Sequence, residues 1–115
     1  TGTHDNDTIL GWTKSASPSD VEMAKKYLHV TPDEGINWTM MRAALASVAD
    51  TCILMMPDLI GAGEEGRINT PSTLGGNWQW RIDGDCINDW LASIVLENTQ
   101  LYGRSERAVE EPEEE

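Results

Sequence analysis

One short apolar run, Cys52-Ile53-Leu54-Met55-Met56 before Pro57, constrains the fold of this chain more than any other feature. A continuous apolar stretch bounded by a proline reads as a parallel strand covered on both faces. Around it the sequence reads as loop, helix, helix, strand, long loop, helix. That alternation suits an α/β barrel or an open α/β sheet. A lone strand cannot make a sheet, because its backbone donors and acceptors would stay unpaired. A complete barrel needs about 250 residues, and the chain has 115. The expectation is therefore an α/β chain, predominantly helical as it stands, that is either a truncated product or a segment of a larger protein.

The other elements follow from local signals. Thr1 to Trp12 is rich in turn formers (Gly2, Asp5, Asn6, Asp7, Gly11) and reads as a loop. Ser17-Pro18-Ser19-Asp20 marks a helix start, with Val21, Ala24 and Leu28 at helical spacing after it. Asn37 is a candidate cap for a second helix through about Ala49, with Trp38, Met41, Ala44, Leu45 and Val48 on one stripe. Asp58 to Trp80, rich in Gly, Pro, Asn and Thr, reads as a long functional loop. Asn88 or Asp89 caps a last helix from about Trp90 to Tyr102, ended by Gly103. Residues 1–104 form the body, and 105–115 read as a solvated, disordered acidic tail.

Charge narrows the partners. A net charge of −12 and a pI of about 4.3 oppose docking on nucleic acid or on an anionic membrane. No apolar run reaches membrane-spanning length, and no signal peptide is expected at the start. Cys52 and Cys86 read as reduced thiols of a cytosol-like compartment, and without a CxxC a structural zinc site has no support.

Two segments carry candidate chemistry. The polar cluster His4-Asp5-Asn6-Asp7 is open between an ordinary turn and a site. A metal there would need further ligands, and the other histidine, His29, ends a helix, so no metal is expected. In the long loop, Gly66-Arg67-Ile68-Asn69-Thr70-Pro71 and Gly76-Asn77-Trp78-Gln79-Trp80-Arg81 combine indole faces, amides and arginines. A pyranose offers a C–H face to indoles and a hydroxyl rim to amides and charges. The blander reading makes Trp78 and Trp80 core residues and Arg81 a structural clamp.

The motifs THDND-T-x-x-GW, RAALASVAD, PDLIG, R-x-NTPST and GNWQWR occur in this order along most of residues 1–104. Together they resemble the C-terminal portion of the 4-alpha-glucanotransferases, also called amylomaltases or disproportionating enzymes. The resemblance implies the last two or so βα units of a (β/α)8 barrel of the α-amylase clan. It implies retaining transfer of a segment of an α-1,4-glucan to another glucan or to glucose. It implies three carboxyl groups: a nucleophilic Asp, an acid/base Glu, and a second Asp that binds and distorts the sugar. The family's His-Asp motif near the end of the seventh strand matches His4-Asp5. Asp5 is then the transition-state stabiliser and His4 a sugar-hydroxyl contact, with Asn69 and Asn6 as substrate-binding residues. The nucleophile and the acid/base are missing from this sequence, so it is expected to be inactive alone. No cofactor is implied, and the expected location is cytoplasmic, or plastidic in a plant or alga. Pro57-Asp58 departs from the Gln-Asp pair of many relatives, removing an amide side chain and a backbone donor. A hydrolase or branching enzyme of the same clan, or a sugar-binding module built on Trp12, Trp78 and Trp80, are the competing readings.

Overall fold

The computed structural model of the protein describes residues 1–105. It contains five α-helices: α1 (Ile9–Ser15), α2 (Pro18–Leu28), α3 (Gly35–Leu45), α4 (Met56–Leu59) and α5 (Asp89–Leu101). Two 3-10 turns, Glu64–Gly66 and Gly84–Cys86, punctuate the long connection between α4 and α5. The acidic tail expected over 105–115 lies, beyond residue 105, outside the described residues.

The expected strand is not formed. Residues 51–55 carry no regular structure, and Met56 already begins α4. The physical reason is the absence of a neighbour: among the described residues there is no other strand to accept or donate a ladder of hydrogen bonds. Ile53, placed by the sequence in a buried run, is accordingly 65% exposed. Leu54 alone of that run packs on the core cluster.

The first loop is shorter than its turn-rich composition suggests, because residues 9–15 form α1. Thr8 caps it: the hydroxyl oxygen accepts from the Gly11 N–H at 3.0 Å, and the residue is buried. At α2, Ser17 accepts from the Asp20 N–H, and Pro18 occupies the first turn, where its missing N–H costs nothing. His29 ends that helix in the left-handed conformation, φ 55°, with its N–H on the Lys25 and Lys26 carbonyls. The second expected helix runs from Gly35 to Leu45, so Asn37 lies inside it and not at its cap. Buried there, the Asn37 amide donates to the Asp58 carbonyl at 2.9 Å. At α5, Asn88 caps as expected, accepting from the Leu91 N–H at 2.9 Å.

Helix α3 is the hub, packing against α1, α2, α4 and α5. Met41 on α3 is fully buried and forms the centre of the core with Ile9 and Ile36, flanked by Trp12, Trp38 and Leu59. The end of α5 is tied to the end of α3 by Arg104. Its Nε donates to the Leu45 carbonyl at 2.8 Å, and Nη2 donates to the Ala49 carbonyl at 2.9 Å. The first bond satisfies a carbonyl that the end of α3 leaves unpaired, and the second holds the segment that follows the helix. Arg42 ties α3 to its surroundings through the Tyr102 hydroxyl and Glu34, and these two partners, Tyr102 first, hold the guanidinium more firmly charged. Cys52 and Cys86 are free thiols. No described helix is long and apolar enough to cross a membrane.

The core is small and much apolar surface is left open. Trp90 is 68% exposed, and Val48, Leu96 and Leu101 are also exposed. An open groove of about 590 Å³ runs between α3 and α5, bordered by Trp38, Arg42, Trp90 and Ile94.

Candidate active site

The polar cluster at the start and the long loop come together on one surface. Thr3, Asp5 and Asn6 form a tight turn. The Asn6 N–H donates to the Thr3 carbonyl at 3.1 Å, and the Thr3 N–H donates to Asn6 Oδ1 at 2.8 Å. The carbonyl oxygen of Asn6 is thereby used to shape the turn that presents Asp5. Asp7 supports the junction with α1, its Oδ1 accepting from the Thr8 N–H at 2.7 Å.

The long loop reaches this turn through Arg67 and Asn69. The Asn69 N–H donates to the His4 carbonyl at 3.0 Å. Arg67 spans both segments: Nη2 donates to the Asp5 carbonyl at 2.9 Å, and Nε donates to the Asn69 carbonyl at 3.1 Å. The approach requires Gly66, since a Cβ there would stand 2.9 Å from Ala62 Cβ and 3.0 Å from Pro57 Cβ.

Both oxygens of the Asp5 carboxylate are oriented. Oδ1 accepts from Asn69 Nδ2 at 2.7 Å, and Oδ2 lies 3.3 Å from His4 Nε2. A carboxylate has about four lone-pair positions, so each oxygen keeps one free for a ligand hydroxyl. The side chains of His4 and Asp5 are 52% and 49% exposed. A ligand can reach them, and their electrostatic contribution to folding is small. The imidazole of His4 also packs on Trp78, with ring centroids 5.0 Å apart.

Beneath the surface lies Asp58, a 3% exposed carboxylate that holds the site's frame. Oδ1 accepts from the Ile9 N–H at 2.8 Å, and Oδ2 accepts from the Thr1 hydroxyl at 2.6 Å. It therefore couples α4 to both ends of the His4-Asp5 loop. Pro57 sits at the first turn of α4, where a backbone donor has no helical acceptor. Its substitution for a residue with an N–H is structurally cheap there, and its ring is buried against the Gly66 turn.

The structure thus joins His4, Asp5 and Asn69, and places Asn6 within the supporting turn. Two expectations change. Trp78 is not a core residue, being 63% exposed and in tilted contact with His4. Arg81 is exposed, and the clamp between the loops is Arg67. Sequence reasoning did not single out Arg67 or Asp58 as site-shaping residues, and it left Trp78 between a sugar-stacking face and the core. Among the described residues, no group of three His, Cys, Asp or Glu side chains converges as a metal site would require. The large groove between α3 and α5 shares no lining residue with the His4-Asp5 surface.

A family model described as 4-alpha-glucanotransferase matches residues 1–87. The chain is 44% identical over 104 residues to a 4-alpha-glucanotransferase of Synechocystis sp., covering 90% of this chain and 21% of that protein. It is 43% identical over 107 residues to a chloroplastic/amyloplastic 4-alpha-glucanotransferase of Solanum tuberosum, covering 90% of this chain and 19% of that one. Among solved structures, an amylomaltase from Streptococcus agalactiae in complex with acarbose superposes with a TM-score of 0.87 at 35% identity. That match covers 92% of this chain and 21% of the amylomaltase chain. The chain spans about a fifth of the length of these relatives. By its matched sequence and its shared fold, the chain belongs to the 4-alpha-glucanotransferase family.

Proposed function

We propose that this chain supplies the Asp5-centred part of the active site of a 4-alpha-glucanotransferase, within a longer polypeptide that completes a (β/α)8 barrel. In that barrel, residues 1–104 are the C-terminal catalytic portion, and 51–55 become its eighth strand once a neighbouring strand is available. The exposed Ile53 and Trp90 support this arrangement, since single domains seldom leave large apolar patches open. Barrel active sites lie on the loops that follow the strands, which accommodates both the His4-Asp5 turn and the Arg67–Trp78 loop.

The reaction is retaining transfer of an α-1,4-glucan segment to another maltooligosaccharide or to glucose. A nucleophilic carboxylate and an acid/base carboxyl about 5 Å apart make and break the glycosidic bond; both are supplied by the remainder of the polypeptide. The transition state carries oxocarbenium charge, and hydrogen bonds to the ring hydroxyls strengthen as that charge develops. Asp5 provides the negative charge and two free acceptor positions, while His4 contacts a neighbouring hydroxyl. Asn69 fixes the carboxylate's rotation, and Asn6 contributes its amide nitrogen at the rim. The observation that carries this reading is the pairing of both Asp5 oxygens, to Asn69 and to His4. The acarbose-bound relative supports an oligosaccharide ligand. The location is cytoplasmic, or the plastid if the source is a plant or alga, as the potato relative is.

Incubating the full-length protein with maltotriose tests the reaction class. Transfer gives glucose together with maltopentaose and longer chains, and residues 1–104 alone give no turnover. Glucose and maltose as sole products indicate hydrolysis and contradict the proposal.

A further inference from the structure

We propose that Trp78 is a positioning residue for His4, holding the imidazole in its sugar-facing orientation; this rests on the glucanotransferase reading of the site. Three observations carry it. Trp78 is 63% exposed, so burial in the core does not account for an indole at this position. Its ring lies against His4, with centroids 5.0 Å apart and planes at 37°. Its backbone is left-handed at φ 60°, a conformation that bulky residues rarely adopt and that concentrates at functional sites when the surroundings enforce it.

The surroundings here do enforce it. The Trp78 N–H donates to the Ile68 carbonyl at 2.7 Å, while the next residue along, Asn69, donates its N–H to the His4 carbonyl at 3.0 Å. The segment Ile68-Asn69 is thus bonded through its backbone to His4 on one side and to Trp78 on the other. Asn77 locks the returning arm of the loop: its Oδ1 accepts from the Thr70 N–H at 2.8 Å, and its Nδ2 donates to the Thr73 hydroxyl at 3.0 Å. Gly75 and Gly76, at φ 84° and 72°, make the reversal that brings Trp78 back to the base.

An imidazole that is half exposed has several staggered rotamers open to it. Here one edge is fixed by Asp5, through Nε2 and Oδ2 at 3.3 Å, and the face is fixed by the indole. With both constraints, the ring is preorganised and no ordering is needed as the transition state forms. The indole acts through His4, and its removal lowers turnover more than ground-state binding.

The test is a set of kinetic measurements on the full-length protein with maltotriose. Trp78→Leu is expected to lower kcat about tenfold, a loss typical of modest misplacement of a reacting geometry, and to leave KM within about twofold. Trp78→Phe, which keeps an aromatic face, restores most of the loss. In a His4→Ala background, Trp78→Leu has no further effect, because the residue it orients is gone. A rise in KM with kcat unchanged would mean that the indole stacks on the sugar, and would overturn the proposal. Multiplicative losses with His4→Ala would overturn it as well. If Trp78→Leu unfolds, Trp78→Met, which likewise lacks an aromatic face, gives the same comparison alone and in the His4→Ala background. The underlying reading fails separately: wild-type turnover by Asp5→Asn would remove the glucanotransferase site itself. An inactive Asp5→Asn beside a fully active Trp78→Leu would remove only the role given to Trp78.

Discussion

Replacing Asp5 by Asn in the full-length protein is expected to lower kcat for maltotriose disproportionation about 10²–10³-fold, the size of effect seen when a preorganised transition-state contact is removed. The substitution is isosteric, and its carbonyl oxygen can still accept from Asn69. What is lost is the negative charge that opposes the oxocarbenium ion, together with one acceptor oxygen, the one that faces His4. Charge develops at the reacting carbon only in the transition state, so KM changes far less than kcat. Stability should hardly move, because Asp5 and His4 are about half exposed and such pairs contribute roughly 0–1 kcal/mol. Steady-state kinetics paired with the thermal unfolding midpoint check both halves. Equal losses in activity and in folded protein would make Asp5 a structural residue.

Asp58 is expected to behave in the opposite way. Asp58→Ala removes a buried carboxylate that accepts from the Ile9 N–H at 2.8 Å and from the Thr1 hydroxyl at 2.6 Å. The Ile9 N–H belongs to the first turn of α1, where no helical acceptor exists. Left without a partner in a buried position, it bears its own desolvation cost, and a cavity replaces the carboxylate. Losses of about 3 kcal/mol are expected when one partner of such a buried charged contact is deleted. The unfolding midpoint should fall clearly, and activity should fall with it because the His4-Asp5 turn loses its anchor to α4. Asp58→Asn keeps one acceptor oxygen and should lose less. Thermal unfolding of the two variants beside the wild type measures the order, and an unchanged midpoint for Asp58→Ala would remove the anchoring role.

How much of this was legible in the sequence depended on whether the signal was local. Ser17-Pro18 and Asn88 are short-range caps, and α2 and α5 begin where they indicate. The α1 cap was missed because Thr8 is surrounded by Asp, Asn and Gly, whose turn preferences outweigh a single threonine. Asn37 resembled a cap, yet its amide serves a tertiary bond to Asp58, which no local pattern reveals. The 52–56 run has the composition of a buried strand, but a strand exists only with a partner, and none is among the described residues. His4-Asp5 and Asn69 are candidates only through the family motifs, since a His-Asp pair alone is compatible with any turn. Arg67 meets Asp5 across 62 positions and Asp58 meets Ile9 across 49. Long-range pairs of that kind leave no periodicity. The available hints were the arginine opening R-x-NTPST and the acid that follows Pro57.

Whether the two loops act as one unit around the Asp5 carboxylate is measured most directly by a double-mutant cycle on kcat/KM in the full-length protein. Asn69→Ala removes the 2.7 Å bond to Oδ1, and Asp5→Ala removes its acceptor. Asn69→Ala is predicted to lower kcat/KM substantially in the wild-type background and to have almost no effect once Asp5 is alanine, a coupling of about 1–3 kcal/mol. Losses that simply multiply, with coupling no greater than about 0.5 kcal/mol, would contradict a single Asp5-centred site.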